Sequence, residues 1–532
     1  MAFAGPVRRP SLPLGGGGAG PPASGGPRAV APAPGGAGGG RRRGVWASLV
    51  VGGLGLAGLL LVSISGAEAR GLGPGAGQGE GWAVVIDAGS SGSRAHVYHY
   101  EKVPGKLLPQ VRLPEKTLKV KPGLSSFKDD PAGAGPALEG LMDFAKREIP
   151  EPQWKDARVF LMATAGLRLL APAAQTAIIR SCAEQIRASP FLFKDAWAGV
   201  LPGHKEGIFG WVAANYAMGP LQQVSAKRFA KIGATTGVIE MGGASAQVTF
   251  LRPANYSGDT RLIALGGLEV EVFTHSFLGF GQEAAQKKAR AAAARQSGAS
   301  DPCLPVGYSA GGAQGTGNFA GCLALARGIL KPKNCHQSRC AIGDVYVPRL
   351  GGEFLATENF FYSAQFFDLP PSPTLAQIRA AGEQYCSQDW AALQAGHAGK
   401  SEEELLKYCF SAAYMYAFMH DGLEVEAGGA LDGGIAYRNE VTYNGVTSDV
   451  DWPLGALLVD VLGEDGLAKG AMVNTVIAGL LVAVVLVAAL VIVCTGNRQG
   501  FGTRIGRMQA HWGLAKGPAP PFHVGRPRYA KV

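Results

Sequence analysis

Acidic residues are missing from both ends of this chain. Residues 1–43 hold six Arg and no Asp or Glu, and residues 495–532 hold seven Lys or Arg and again no acid. The formal net charge is +10, so removing those thirteen cations leaves the middle of the chain near −3. The basicity belongs to the tails, and the core has no basic stripe with interleaved aromatics, which excludes nucleic acid as a partner. No Walker lysine is present, so a bound polyphosphate would have to be neutralised by other means. No CxxC spacing occurs among the eight cysteines, which argues against a zinc site. No tandem repeat of short period appears, which excludes a solenoid.

What is present begins with two apolar segments. Residues 44–66 follow Arg41-Arg42-Arg43 and carry no charge; residues 471–494 are longer and more apolar, with Arg498, Arg504 and Arg507 beyond them. Each is about the length needed to cross a ~30 Å hydrocarbon core. The positive charges outside both segments place residues 1–43 and 495–532 in the cytosol as basic tails. The large core then lies in the lumen of the secretory pathway, such as the Golgi, or outside the cell. A cleaved signal peptide is the alternative for the first segment, and homo-oligomers could form through the membrane helices. Residues 67–80 read as a glycine-rich linker.

On the oxidising side of a membrane, cysteines pair. Six of the eight cluster between residues 303 and 409: Cys335 and Cys340 can close a tight loop, Cys386 and Cys409 bracket a helical stretch, and Cys303 and Cys322 pair by elimination. Asn255-Tyr256-Ser257 is a glycosylation sequon that fits the same topology.

Two glycine-hydroxyl runs carry the chemistry. Asp87-Ala88-Gly89-Ser90-Ser91-Gly92-Ser93-Arg94 follows the apolar stretch Ala83 to Ile86, and Glu240-Met241-Gly242-Gly243-Ala244-Ser245-Ala246-Gln247 follows Thr235 to Ile239. An apolar strand feeding a glycine turn presents bare backbone N–H groups, and serines add hydroxyl donors, so each run reads as a phosphate cradle. Ser90, Ser91, Gly92 and Ser93 would hold one end of a polyphosphate, and Gly242, Gly243 and Ala244 the other. Arg94 is assigned to phosphate. Asp87 and Glu240, acids at strand ends, suggest a divalent cation, Ca²⁺ or Mg²⁺, held through water.

Strands and helices alternate along the rest, so the class is α/β. Ala95 to Tyr100 reads as a hairpin strand, Arg158 to Ala163 as another, and Val248 to Phe250 as a continuation of the sheet. Residues 173–187 and 402–420 read as helices, residues 282–298 as a solvated helix, and Gly203 to Tyr216 as a loop entering a helix, with Glu206 in the loop.

The order of motifs adds more. The first cradle is followed by Thr164-Ala165-Gly166-Leu167-Arg168, then Gly203-His204-Lys205-Glu206-Gly207, the second cradle, and Asp451-Trp452-Pro453-Leu454-Gly455. This set, from about Trp82 to Leu462, resembles the apyrases, the nucleoside triphosphate diphosphohydrolases, and the two flanking helices resemble the membrane-anchored members. The resemblance implies two RNase H-like, actin-like lobes with the active site in the cleft between them. Lobe I would take residues 81–200 and 436–465, and lobe II residues 201–435. It also implies that Glu206 is the general base, that Ser245 and Gln247 orient the attacking water, that Thr164 lies near the terminal phosphate, and that Trp452 stands near the metal waters. Trp452 also reads as a core aromatic, and Arg168 equally as an ion-pair partner or a phosphate contact. The family commonly has Asp where this chain has Glu240, which leaves the choice between Ca²⁺ and Mg²⁺ open. Phe361 and Tyr362, in the run Asn359 to Tyr362, would stack on the nucleobase, although the same run reads as core.

The implied activity is metal-assisted hydrolysis of terminal phosphates from nucleoside tri- and diphosphates by direct water attack. Asp87 lacks the sequence context of a phosphorylated aspartate, so no phosphoenzyme is expected. The alternatives are a luminal nucleoside diphosphatase with little triphosphatase activity, a kinase or exopolyphosphatase on the same scaffold, and a non-catalytic nucleotide-binding ectodomain.

Overall fold

The computed structural model describes residues 79–461, apart from residues 104–105, 107, 223–234, 266–267 and 332–340. Both expected membrane segments, both tails and the Cys335–Cys340 pair lie outside the described residues. Among the described residues no helix is long and apolar enough to cross a membrane.

The first sheet grows from a nine-residue strand, β1 (Glu80–Ala88), that turns back as β2 (Ser93–Glu101). Burial along β1 is unbroken from Ala83 to Ile86, as expected of a central strand covered on both faces. Alternate residues feed different cores. Ala83 and Val85 face a cluster shared with the second sheet, whereas Val84 and Ile86 face one built with outer helices. The short β3 (Gln110–Val111) and β4 (Lys116–Val120) both pair antiparallel with β2, while β5 (Arg158–Ala163) and β6 (Ala198–Val200) extend the sheet in parallel on the far side of β1.

The second sheet repeats this wiring. β7 (Gly237–Met241) turns back as β8 (Ser245–Leu251), beyond which lie β10 (Leu268–Leu278) and β9 (Arg261–Leu265). A minor sheet of β11 (Ser300–Asp301), β12 (Ser309–Ala310) and β13 (Ala313–Gly315) intervenes in the chain. β14 (Phe354–Glu358) and β15 (Ile435–Tyr437) then join β7 in parallel, and β16 (Glu440–Tyr443) and β17 (Val446–Asp449) form a separate hairpin. In each large sheet a hairpin therefore leads and two parallel strands follow beside its first strand.

The helices are α1 (Glu139–Glu148), α2 (Ala165–Arg168), α3 (Pro172–Arg187), α4 (Gly203–Ala217), α5 (Gln282–Ser297) and α6 (Phe319–Leu330). They continue with α7 (Asn359–Phe366), α8 (Leu375–Cys386), α9 (Trp390–Gly396), α10 (Glu402–Ala417) and α11 (Trp452–Ala456). α4 is buried on every side from Glu206 to Ala217, which marks a helix enclosed in a core rather than laid on a surface. Together with α11 it fills the cluster between the two sheets, where Trp211 and Tyr216 are buried. Gly455 is required there, because a Cβ on it would lie 1.9 Å from the Phe209 carbonyl oxygen.

Two expectations need correction. Glu206 stands in the first turn of α4, not in a loop. The helix at 282–297 is not solvated all round, because Ala285, Ala289 and Ala293 form a buried stripe at four-residue spacing. Of the expected disulfides, Cys303–Cys322 and Cys386–Cys409 are formed. Each ties a helix: Cys322 lies in α6, Cys386 ends α8, and Cys409 lies in α10. Cys182 is free and buried in α3. Asn255 is exposed in a turn after β8.

Candidate active site

Both glycine runs are hairpin tips, and they face one another. In the first, Asp87 pairs with Arg94 across the ladder; in the second, Glu240 pairs with Gln247. A Cβ placed on Gly243 would meet Ser90 Oγ at 2.7 Å and the Glu283 carboxylate at 2.9 Å. The tips come so close that a larger residue at Gly243 would have to push the Ser90 hydroxyl and the Glu283 carboxylate aside. The second tip is anchored from behind by α5. The backbone N–H groups of Gln282, Glu283 and Ala284 donate to the carbonyls of Gly242 and Gly243 at 2.9–3.0 Å, and Gly279 donates to the Ala244 carbonyl at 2.8 Å. Helix N-terminal donors thus hold this turn's carbonyls on the side of the helix.

One cleft gathers Asp87, Ser90, Ser91, Gly92, Arg94, Thr164, Glu206, Glu240, Gly242, Gly243, Ala244, Ser245 and Trp452. Ser93 is not among these lining residues. It pairs with Ala88 one step along from Arg94, and the pleat turns successive side chains to opposite faces, leaving its hydroxyl fully buried and unpartnered. Gln247 lies just behind the cleft, 2 % exposed, with neither amide atom in a well-formed hydrogen bond. Trp452 both lines the cleft and belongs to the core between the sheets, with its ring 6.4 Å from that of Phe209. Phe361 is half-buried and Tyr362 is 42 % exposed on α7, while Phe360 between Asn359 and Phe361 is core.

Glu206 is held by Arg168, whose guanidinium donates to the Glu206 carboxylate, to Ser245 Oγ at 3.3 Å and to Ser276 Oγ at 3.1 Å. Arg168 is therefore an ion-pair partner, joining α2 to α4, β8 and β10.

A model of the GDA1/CD39 (nucleoside phosphatase) family matches residues 76–464, most of the chain and every residue of this cleft. The chain belongs to that family. Its relatives include "Probable apyrase 6" of Arabidopsis thaliana, 37% identical over 454 residues, spanning 78% of this chain and 77% of the relative. Another is "Ectonucleoside triphosphate diphosphohydrolase 2" of Homo sapiens, 30% identical over 499 residues, spanning 85% and 96%. The fold alone is shared with the crystal structure of nucleoside triphosphate hydrolases from Neospora caninum, at 16% identity and a TM-score of 0.55, covering 76% of this chain and 96% of that one. This nucleoside phosphatase is an enzyme that hydrolyses nucleoside phosphates.

Carboxylates dominate the cleft of the phosphatase. Burial pushes Glu206 up to about 7, with Arg168 opposing and Asp87 adding to the rise. Burial and Asp451 push Asp87 up to about 6, against the pull of His96 and Arg94. Burial, reinforced by Glu206 and Glu358, holds Glu240 well above the usual carboxylate range. Asp87 Oδ1 is buried without a hydrogen-bond partner, and the Glu240 carboxylate lies 3.6 Å from the position a Cβ would take on Gly210. The orphaned Asp87 oxygen, with the Glu240 carboxylate in the same cleft, suits a divalent cation. Among the described residues no three His, Cys, Asp or Glu side chains converge to ligate one directly.

Three charged lining residues carry no role from sequence. Asp451 takes the Arg94 guanidinium at 2.9 Å and lies 3.9 Å from His96 Nε2, whose other ring nitrogen is 3.3 Å from Glu115. Glu358, pushed up to about 7 by burial and Asp451, ends β14 with φ +59°, a backbone conformation unusual for a side chain of its kind. It is held there by its N–H donating to Asn439 Oδ1 at 2.7 Å, while Asn359 donates to the Met241 carbonyl at 2.8 Å. Lys119 of β4 is the third. Glu358 and Lys119 arrive through strand pairing, opposite Met241 and Arg94, and Asp451 stands just before α11.

Proposed function

We propose that this phosphatase is a membrane-anchored apyrase-type nucleotidase, hydrolysing the terminal phosphates of nucleoside tri- and diphosphates by direct attack of water. The observation that carries the reading is the position of Glu206. It is a buried carboxylate of raised basicity, facing the gap between two opposed phosphate cradles. The two sheets form the cores of two RNase H-like lobes, residues 81–200 with the chain after β15 and residues 201–437, because β15 pairs with β14 of the second sheet rather than opening the first lobe at residue 436, and the cleft lies between them. Segments 44–66 and 471–494 anchor the chain, with the cleft on the luminal or extracellular side and Asn255 glycosylated.

In this mechanism Ser90, Ser91 and Gly92 hold one end of the polyphosphate, and Gly242, Gly243 and Ala244 hold the other by backbone N–H groups. Thr164 stands by the terminal phosphate. Ser245 and Gln247 orient a water, and the Glu206 carboxylate takes its proton as the water attacks phosphorus in line. Asp87 and Glu240, with Trp452 alongside, would hold a hydrated Ca²⁺ or Mg²⁺, which supplies neutralisation of phosphate charge. Phe361 and Tyr362 flank the nucleobase. A malachite-green assay of the detergent-solubilised full chain with ATP, ADP, UDP and GDP tests the reading. Phosphate release that needs Ca²⁺ or Mg²⁺ is expected, and no release with either ion would overturn it.

A further inference from the structure

Two cations line the cleft, Arg94 and Lys119, and a third, Arg168, reaches it through Glu206. Arg94 is taken by Asp451 and Arg168 by Glu206. Lys119 makes no hydrogen bond or ion pair among the described residues; Asp87 and Glu358 feel its charge without pairing with it. It is also exposed, so its ammonium meets a ligand without first breaking an internal contact.

The sheet explains how it gets there. β4 runs antiparallel to β2 with Lys119 directly opposite Arg94. Like charges across a ladder destabilise it, and an anion lying between them reverses the sign. Beside that pair, the first hairpin tip clears a path. A Cβ on Gly92 would lie 2.9 Å from Lys119 Cε and 2.6 Å from the Val120 carbonyl oxygen, so the bare Cα lets the lysine stem run across the tip. The side chain then lines the same cleft as Ser90 and Ser91.

We propose that Lys119 is a phosphate-binding residue, a point charge that meets the polyphosphate of the nucleotide at the first hairpin. It does from a sheet edge what a P-loop lysine does from a loop. This rests on the reading of the cleft as a nucleotide polyphosphate site.

The test uses the full chain in detergent, with Lys119→Gln, Lys119→Arg and, as a charge control on the same strand, Lys116→Gln. KM and kcat for ADP and ATP are measured, with binding of a non-hydrolysable methylene diphosphonate analogue of ADP and the melting temperature. Lys119→Gln should raise KM and the analogue Kd by roughly tenfold or more, with kcat and melting temperature nearly unchanged, the scale of one lost charge-assisted hydrogen bond. Lys119→Arg should restore most of the affinity, Lys116→Gln should change nothing, and added salt should weaken the wild type more steeply than Lys119→Gln. An active wild type with unchanged KM and Kd in Lys119→Gln overturns the Lys119 assignment and leaves the site reading standing. So does a loss of kcat and melting temperature at constant KM. A wild type that neither binds nor hydrolyses nucleotide overturns both.

Discussion

Arg168 and Glu206 form an ion pair at the floor of the cleft, with side chains 12% and 6% exposed. The pair sets the basicity of the carboxylate, because burial raises its pKa and the guanidinium opposes the rise. Removing the cation from a buried pair leaves an uncompensated charge. Arg168→Met should therefore lower stability by about 3–5 kcal/mol and move the acidic limb of the kcat/KM profile to higher pH. Chemical denaturation and a pH–rate profile check this, and an unmoved limb would separate Arg168 from the base.

Glu206→Gln keeps the shape of the side chain and removes its ability to take a proton. Turnover should fall by roughly two to four decades while nucleotide affinity stays nearly intact. Parallel losses of affinity and turnover would instead indicate a binding or folding role.

Four carboxyls of the cleft, Asp87, Glu206, Glu240 and Glu358, have raised pKa values in the folded chain. Such groups hold protons more tightly when folded than when unfolded. Their contribution to stability is complete below about pH 4 and is lost as the pH climbs through about 6 for Asp87 and about 7 for Glu206 and Glu358. In chelator, the melting temperature should fall between pH 4 and 7 by more than in an Asp87→Asn, Glu358→Gln double variant, and a divalent cation at pH 7 should restore it. Identical slopes for the two proteins would remove these carboxyls from the account.

Gly455→Ala forces a methyl group against the Phe209 backbone, which cannot rotate away as a side chain can. Overpacking of this kind costs about 1–3 kcal/mol or more. Since α11 also carries Trp452, activity should fall with the melting temperature; a fully stable variant would show that α11 shifts freely.

Cys303–Cys322 and Cys386–Cys409 tie α6, α8 and α10 into the second core. Reductant should lower stability by about 2–4 kcal/mol per bond, read as a drop in melting temperature in the same buffer. Unchanged melting would mean that the helices hold without their crosslinks.

The hairpins were legible because their signals are local: an apolar run, an acid at its end, and glycines at the turn. Gly203, Gly207 and Gly210 depress helix propensity around Glu206, so its surroundings look like loop in the sequence. The structure shows why those glycines are tolerated. A Cβ on Gly207 would lie 2.6 Å from Thr249 Oγ1 and 2.8 Å from Thr274 Oγ1, and Gly210 lies against Glu240, so tertiary packing overrides propensity. The buried alanine stripe of α5 was hidden among lysines, glutamines and arginines, which make the helix polar in sum. Glu358 and Lys119 bear no motif at all. Glu358 reaches the cleft through parallel pairing of β14 with β7, and Lys119 through antiparallel pairing of β4 with β2. Such pairings are decided by the whole sheet and leave no trace in a short window of sequence.

The salt bridge from Arg94 to Asp451 joins residues 357 positions apart. A ribosome must therefore deliver almost the entire described chain before the pocket can close. Until Asp451 and Trp452 emerge, the nascent polypeptide carries both hairpins but no finished catalyst. Fragments released early would be inert toward nucleotides, however well their first sheet had folded.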